Sequence, residues 1–186
     1  AGGSFDYLTF VPDGEPTLDR RLGAHIGAVR PLGIRVAVIS NGSLAWKSDA
    51  RADLREADLV CVKVDAVDEP IWRSVNRPAP ELGLATVLDG LLEFSQSFEG
   101  TLITETMLVA GLNDDAESVR DVARFIARLD PETAYILVPT RPPAENWVRM
   151  PDEATLNRAF QIFSEHLRRV ELVAGFEGTG FAHTGD

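Results

Sequence analysis

Cysteine occurs once in the 186 residues, at Cys61. A single thiol excludes an internal disulfide framework and any multi-cysteine metal site built from this sequence alone, and it fits a cytosolic compartment. Lysine is nearly as scarce: of the 18 basic residues only Lys47 and Lys63 are lysine. Basic residues are outnumbered by 29 acidic ones, for a net charge of −11. A surface that acidic repels phosphate backbones, which argues against general binding of nucleic acid or anionic membranes. Arg141, Arg149, Arg168 and Arg169 leave room only for a local basic patch. No apolar run approaches the roughly 20 residues of a membrane helix. A phosphate-binding P-loop and a G-x-G-x-x-G fingerprint are both absent, and His25, His166 and His183 show no metal-ligand spacing. The sequence opens on Ala1-Gly2-Gly3-Ser4 rather than on a secretory signal, and the expected location is the cytoplasm. Both ends read as cut, so 1–186 is expected to be one domain truncated at each end.

What remains is 45% hydrophobic and 25% charged, the composition of a globular domain with a real core. Short β-branched runs alternate with amphipathic stretches. Strands are predicted over 6–11, 35–40, 58–65, 101–109, 133–138 and 170–174. Helices are predicted over 17–29, 49–57, 84–98, 114–129 and 152–167, with Pro16 opening the first and Asp114 with Glu117 capping the fourth. Leu18, Leu22, Ile26 and Val29 mark one helical face, Val87, Leu88, Leu91, Leu92 and Phe94 a second, and Leu156, Phe160, Phe163 and Leu167 a third. Strand-then-helix units repeated at roughly 25 to 40 residues argue for an α/β fold, with a parallel sheet or open barrel and outer helices.

In such folds chemistry sits at the C-terminal ends of the strands. The unusual residues fall there: Asp13-Gly14-Glu15-Pro16, Ser40-Asn41-Gly42, Lys63-Val64-Asp65, Gly111-Leu112-Asn113 and Pro139-Thr140-Arg141-Pro142-Pro143. On the third strand a period of two sends Val60, Val62 and Val64 to one face and Cys61, Lys63 and Asp65 to the other. A lysine in such a run needs a partner or water, so the inner face is either a polar cavity or an edge open to solvent. Glu105 invites the same reading more weakly, with a structural ion pair as the alternative. Taken alone, Gly14-Glu15-Pro16 and Asn41-Gly42 are turn signals. Trp46, Trp72 and Trp147 read as packing anchors.

As an ordered set these motifs resemble the radical SAM superfamily, in the branch of iron–sulfur oxidoreductases related to wybutosine-biosynthesis enzymes. The residues that carry it are Tyr7-Leu8-Thr9-Phe10-Val11 leading into Gly14-Glu15-Pro16-Thr17-Leu18, then Ser40-Asn41-Gly42-Ser43-Leu44 and Val64-Asp65-Ala66. Asn76-Arg77-Pro78, Gly111-Leu112-Asn113 and the Pro139 to Pro143 run follow. The resemblance implies a partial (βα)6 TIM-like barrel whose first βα unit is missing here. It implies S-adenosylmethionine as cofactor, beside a 4Fe–4S cluster held by a CxxxCxxC segment, and an external electron donor. Reductive cleavage of S-adenosylmethionine in that family yields a 5′-deoxyadenosyl radical.

Carried over by position, Gly14, Glu15 and Pro16 would meet the methionyl amino group, and Ser40 and Asn41 its methionine part. Lys63 and Asp65 would lie by the carboxylate or ribose, with Asn113 and the backbone near 138–140 by the adenosine. Two departures stand out. Asp13 replaces a glycine, and the cysteine triad is absent, so this sequence supplies no metal ligand and the fragment alone is expected to be inactive. The substrate is not legible: the wybutosine relatives act on tRNA, for which a net charge of −11 gives no support. Two other functions fit the same residues. One is a Schiff-base barrel lyase or aldolase using Lys63 with Asp65; the other is a cluster-less, non-catalytic binding module.

Overall fold

The computed structural model describes residues 5–11, 14–140 and 145–174. Asp13, the 141–143 part of the proline run, and the glycine-rich tail with His183 lie outside the described residues. Six strands form one sheet in the order β1-β2-β3-β4-β5-β6, every neighbouring pair parallel. They are β1 Tyr7–Phe10, β2 Arg35–Ser40, β3 Leu59–Lys63, β4 Thr101–Met107, β5 Thr133–Leu137 and β6 Val170–Val173. Spatial order equal to chain order means that every right-handed crossover steps the same way. All the helices must then cover one face, and the other face becomes the inside of an open barrel.

The helices are α1 Leu22–Val29, α2 Ser48–Leu54, α3 Glu69–Asn76, α4 Leu84–Ser97, α5 Ala116–Leu129 and α6 Glu153–His166. Strand alternation sorts the side chains as a half-covered sheet requires. Val60, Val62 and Val64 are buried under the helices with Val36, Val38, Ala134 and Ile136. Phe94 of α4 and Phe163 of α6 are completely buried in the same layer. Among the described residues no helix is long and apolar enough to cross a membrane.

Four local expectations are corrected. The first helix does not run from Thr17: Pro16–Leu18 is a separate 3₁₀ turn, and α1 begins at Leu22. Glu15 accepts a hydrogen bond from the Thr17 N–H at that turn, and Leu18 is left exposed rather than in the core. The cap of α5 is Asp115, whose carboxylate accepts from the N–H groups of Glu117 and Ser118; Asp114 instead accepts from Gly111 N–H. On α6 the core face includes Ala159 and Ile162, while Phe160 is partly exposed.

The sequence reading also passed over α3, an eight-residue helix. Its signal is Asp68 capping Ile71 N–H with Pro70 in the first turn, and it buries Trp72. Trp46 and Trp147 are half-exposed and anchor less than expected.

Candidate functional site

A cavity of about 970 Å³ opens on the inner face at the C-terminal ends of the strands. That is the upper end of the roughly 300–1,000 Å³ typical of small-molecule sites. Of the eight residues picked from sequence, Gly14, Glu15, Ser40, Asn41, Lys63 and Asp65 line it. Pro16 is buried in the 3₁₀ turn, and Asn113 is buried behind the wall.

Glu15 is the hub of the β1–β2 corner. Its Oε1 accepts from Thr17 N–H at 3.1 Å, Thr17 Oγ1 at 2.7 Å and Ser40 Oγ at 2.6 Å. Its Oε2 accepts from Asn41 N–H at 2.7 Å. Ser40 Oγ in turn accepts from Gly42 N–H at 3.0 Å, which obliges the Ser40 hydroxyl to donate to Glu15. Gly42 takes φ +72°, the left-handed region that suits glycine, and Asn41 Oδ1 accepts from Ser43 N–H. The carboxylate therefore sets the path of the loop after β2, and Oε2, with one backbone donor, keeps capacity toward the cavity.

Asp65 and Asn113 form a second, more fully engaged group. Asp65 is 6% exposed; its Oδ1 accepts from Met107 N–H at 2.7 Å and its Oδ2 from Asn76 Nδ2 at 2.6 Å. Burial pushes its carboxyl pKa up, opposed by the Met107 N–H, the Lys63 charge and the Asn76 amide. Asn113 Nδ2 donates to the carbonyls of Asp65 and Met107, and its Oδ1 accepts from Val109 N–H at 2.8 Å. With both protons and its carbonyl occupied, the Asn113 side chain fastens the β4 exit to the β3 exit.

Lys63 differs. Its Nζ lies 3.8 Å from Glu105 Oε2, beyond hydrogen-bond length. Register pairs the two residues directly across β3 and β4 and carries the row on to Tyr135 and Glu171. Glu105 is thus both an ion-pair partner and part of the cavity wall. A half-exposed, ion-paired lysine suits a charge anchor better than the desolvated amine that Schiff-base chemistry needs. Sequence reasoning missed Asn76 as the partner of Asp65, Tyr135 in the wall, and the Arg77–Glu145 ion pair that joins the end of α3 to the segment after β5. Only register, unavailable before the strands were paired, could have flagged Tyr135.

Cys61 is buried on the same inner face, and burial followed by the charge of Glu105 pushes its thiol pKa far up. Such a thiol is neither a ready nucleophile nor a metal ligand. In the native protein at pH 8 it is expected to resist alkylation by iodoacetamide, and to react stoichiometrically once unfolded in guanidinium, as read by mass spectrometry. Among the described residues no group of three His, Cys, Asp or Glu could hold a metal.

The residues present do not fit an iron–sulfur cluster. They do fit S-adenosylmethionine in donor chemistry, offering an ammonium, a carboxylate oxygen and exposed loop edges on consecutive strands. Arg168 and Arg169 pair with Asp130 and Glu171, and Arg149 donates to nearby backbone carbonyls.

No family model matches the chain. It is 41% identical over 178 residues to a UPF0026 protein of Methanocaldococcus jannaschii, covering 95% of this chain and 56% of that protein. The chain thus spans about half the length of that relative. Among solved structures it superposes on a domain of pyruvate-formate lyase-activating enzyme from Bacteroides vulgatus with a TM-score of 0.70, at 20% identity, covering 90% of this chain and 98% of that one. TYW1 with a lysine–pyruvate adduct bound gives 0.69 at 19% identity over 87% of this chain and 51% of that one. A radical SAM methyltransferase from Sphaerobacter thermophilus gives 0.65 at 16% identity over 95% and 52%. The fold is therefore the partial TIM-like barrel of radical SAM enzymes, as the sequence motifs imply.

Proposed function

We propose, from this shared fold, that the chain is the S-adenosylmethionine-binding core of a radical SAM iron–sulfur enzyme. The observation that carries the reading is the alignment of Glu15, Ser40–Asn41 and Lys63 on three consecutive strand ends around one cavity. S-adenosylmethionine carries an ammonium, a carboxylate and a sulfonium. In this reading Glu15 Oε2 and the exposed Gly14 edge receive the ammonium. Lys63 holds the carboxylate, and the Asn41 loop flanks the methionine part. Asp65 on the cavity wall and Asn113 behind it position the β3 and β4 exits against which the adenosine lies.

When bound together, the cluster and S-adenosylmethionine supply the radical chemistry of the family. Because Cys61 is alone and buried, the cluster ligands must come from residues other than those of this sequence. The chain's own contribution is to bind the cofactor, orient its ends and present a largely apolar wall beyond it.

The test is calorimetric titration of the chain with S-adenosylmethionine. Saturable binding that falls on the order of tenfold in Lys63→Met, the loss of one charge-assisted contact, is the expected result. Absence of binding, or an unaffected Lys63→Met, would overturn the assignment. An in-frame CxxxCxxC ahead of Ala1 in the coding sequence, with iron bound anaerobically by the full-length protein, is the complementary check.

A further inference from the structure

The cavity has two unlike halves. Around the ends of β1 to β3 the polar groups gather, beside Val11 and Ile39; from β4 to β6 and the segment after β5 the wall is mostly apolar, with Ile103, Met107, Leu137, Val148 and Val173 lining it. The seam is the row Lys63, Glu105, Tyr135, Glu171 that register aligns across four strands. At the rim Glu15 and Asp65 are engaged by the protein itself. The centre of the seam is not: among the described residues neither Lys63 Nζ nor the Tyr135 hydroxyl makes a hydrogen bond. Glu105 meets the Lys63 ammonium only at 3.8 Å, with the Cys61 thiol beneath it. Glu171 is satisfied separately, by Arg169 at 2.6 Å.

We propose that Glu105 and Tyr135 form the polar end of a substrate subsite on the β4–β6 wall, and that this subsite takes an aliphatic amine bound through its ammonium group. The proposal rests on the cofactor reading in one respect: a carboxylate bound at Lys63 draws that ammonium away from Glu105. Glu105 has only 21% of its side chain exposed and borders an apolar wall, so it is then a carboxylate short of a counter-charge. A carboxylate in that setting is costly unless a cation or strong donor meets it. An ammonium on an aliphatic stem supplies the charge and covers the wall at once. The Tyr135 ring beside Glu105 adds an aromatic face that attracts the same cation. Burial and the charge of Glu171 push the Tyr135 pKa up, so its hydroxyl stays a neutral hydrogen-bonding group. A carboxylate head would be repelled by Glu105, and an alcohol would leave Glu105 uncompensated.

The experiment is a protein-observed NMR titration of the chain with n-hexylamine, 1-hexanol and hexanoate, each with and without S-adenosylmethionine. These probes share one stem and differ only in the head. Hexylamine is expected to bind on the order of tenfold tighter than the other two, the scale of one charged contact. Its shifts should map to Ile103–Met107 and Tyr135–Leu137, and the preference should widen when S-adenosylmethionine is present. Glu105→Gln should bring hexylamine down to the affinity of hexanol, while S-adenosylmethionine still binds, and more tightly, because Lys63 loses its competing carboxylate.

Lys63→Met gives an independent readout. Removing the competing ammonium should strengthen hexylamine binding without any cofactor. Equal affinity for the three heads, a preference for hexanoate, or an amine preference that survives Glu105→Gln would overturn the subsite. If the amine preference holds while S-adenosylmethionine fails to bind, the subsite stands and the cofactor reading falls. If S-adenosylmethionine binds with no amine preference, the reverse is concluded.

Discussion

Glu15→Ala is expected to destabilise the protein by about 3 kcal/mol, because it leaves four donors without their acceptor in a corner that water reaches poorly. The donors are the N–H groups of Thr17 and Asn41 and the hydroxyls of Thr17 and Ser40. Glu15→Gln separates charge from geometry. Its carbonyl oxygen can still serve the three donors on Oε1, but its amide would point N–H groups at the Asn41 N–H. A cost of about 1–3 kcal/mol follows for that mismatch. Thr17→Val removes one donor of the set and leaves the carboxylate in place, so it should cost about 1 kcal/mol or less. Urea unfolding of the three variants measures the series. A Glu15→Ala loss no larger than that of Thr17→Val would mean that the corner does not depend on this carboxylate. Both Glu15 variants should also weaken S-adenosylmethionine binding, since Asn41 loses the group that fixes its backbone.

The second large effect is predicted at Gly90, in the middle of α4. In an unconstrained helix, glycine to alanine stabilises by about 1 kcal/mol. Here the opposite sign is expected. A Cβ at position 90 would lie 2.3 Å from Trp46 N, 2.4 Å from Trp46 Cα and 2.6 Å from the Ala45 carbonyl carbon. These are backbone atoms of the loop that follows Asn41 and cannot rotate away as a side chain can. The loop is held from its other side as well. Arg51 of α2 donates to the Ala45 carbonyl at 2.8 Å and pairs with Glu93 of α4 at 2.7 Å.

Gly90→Ala must therefore push α4 and the loop apart, for a net loss of about 2 kcal/mol. In a chain of this size that corresponds to roughly 4–8 °C in Tm by scanning calorimetry. A Tm that rises instead would show that the contact is loose. Because the displaced loop carries Asn41, the variant should also lose affinity for S-adenosylmethionine, although residue 90 is outside the cavity lining.

These two positions show why part of the molecule was legible in advance and part was not. The motif Gly14-Glu15-Pro16-Thr17-Leu18 marks Glu15 in the sequence, yet by itself it predicts only a turn entering a helix. The bonds that give the residue its weight come from Ser40 and Asn41, 25 and 26 positions away. The third strand was legible because its information is local. Alternation placed Val60, Val62 and Val64 under the helices and Lys63 with Asp65 on the inner face, and the structure agrees. Alternation could not tell that Lys63 would keep its hydrogen-bonding capacity while Asp65 would be engaged by Asn76 and Met107. That difference arises where α3 and β4 arrive from elsewhere in the chain. The helix α3 was missed because eight residues with a proline in the first turn carry too little periodicity to stand out against a loop.

The sequence by itself determined the succession of strands and helices, the parallel run of the strands, and the clustering of polar residues at the strand ends. All of these follow from periods of 2 and 3.6 residues, turn chemistry and crossover handedness, which act over a few residues at a time. Tertiary structure alone decided which polar groups are engaged in architecture and which face the cavity free to bind. It also decided that position 90 must lack a side chain, and that Lys63, Glu105 and Tyr135 stand in one row. Hydrogen-bond satisfaction and excluded volume depend on atoms brought together from distant parts of the chain, and only packing fixes which atoms those are.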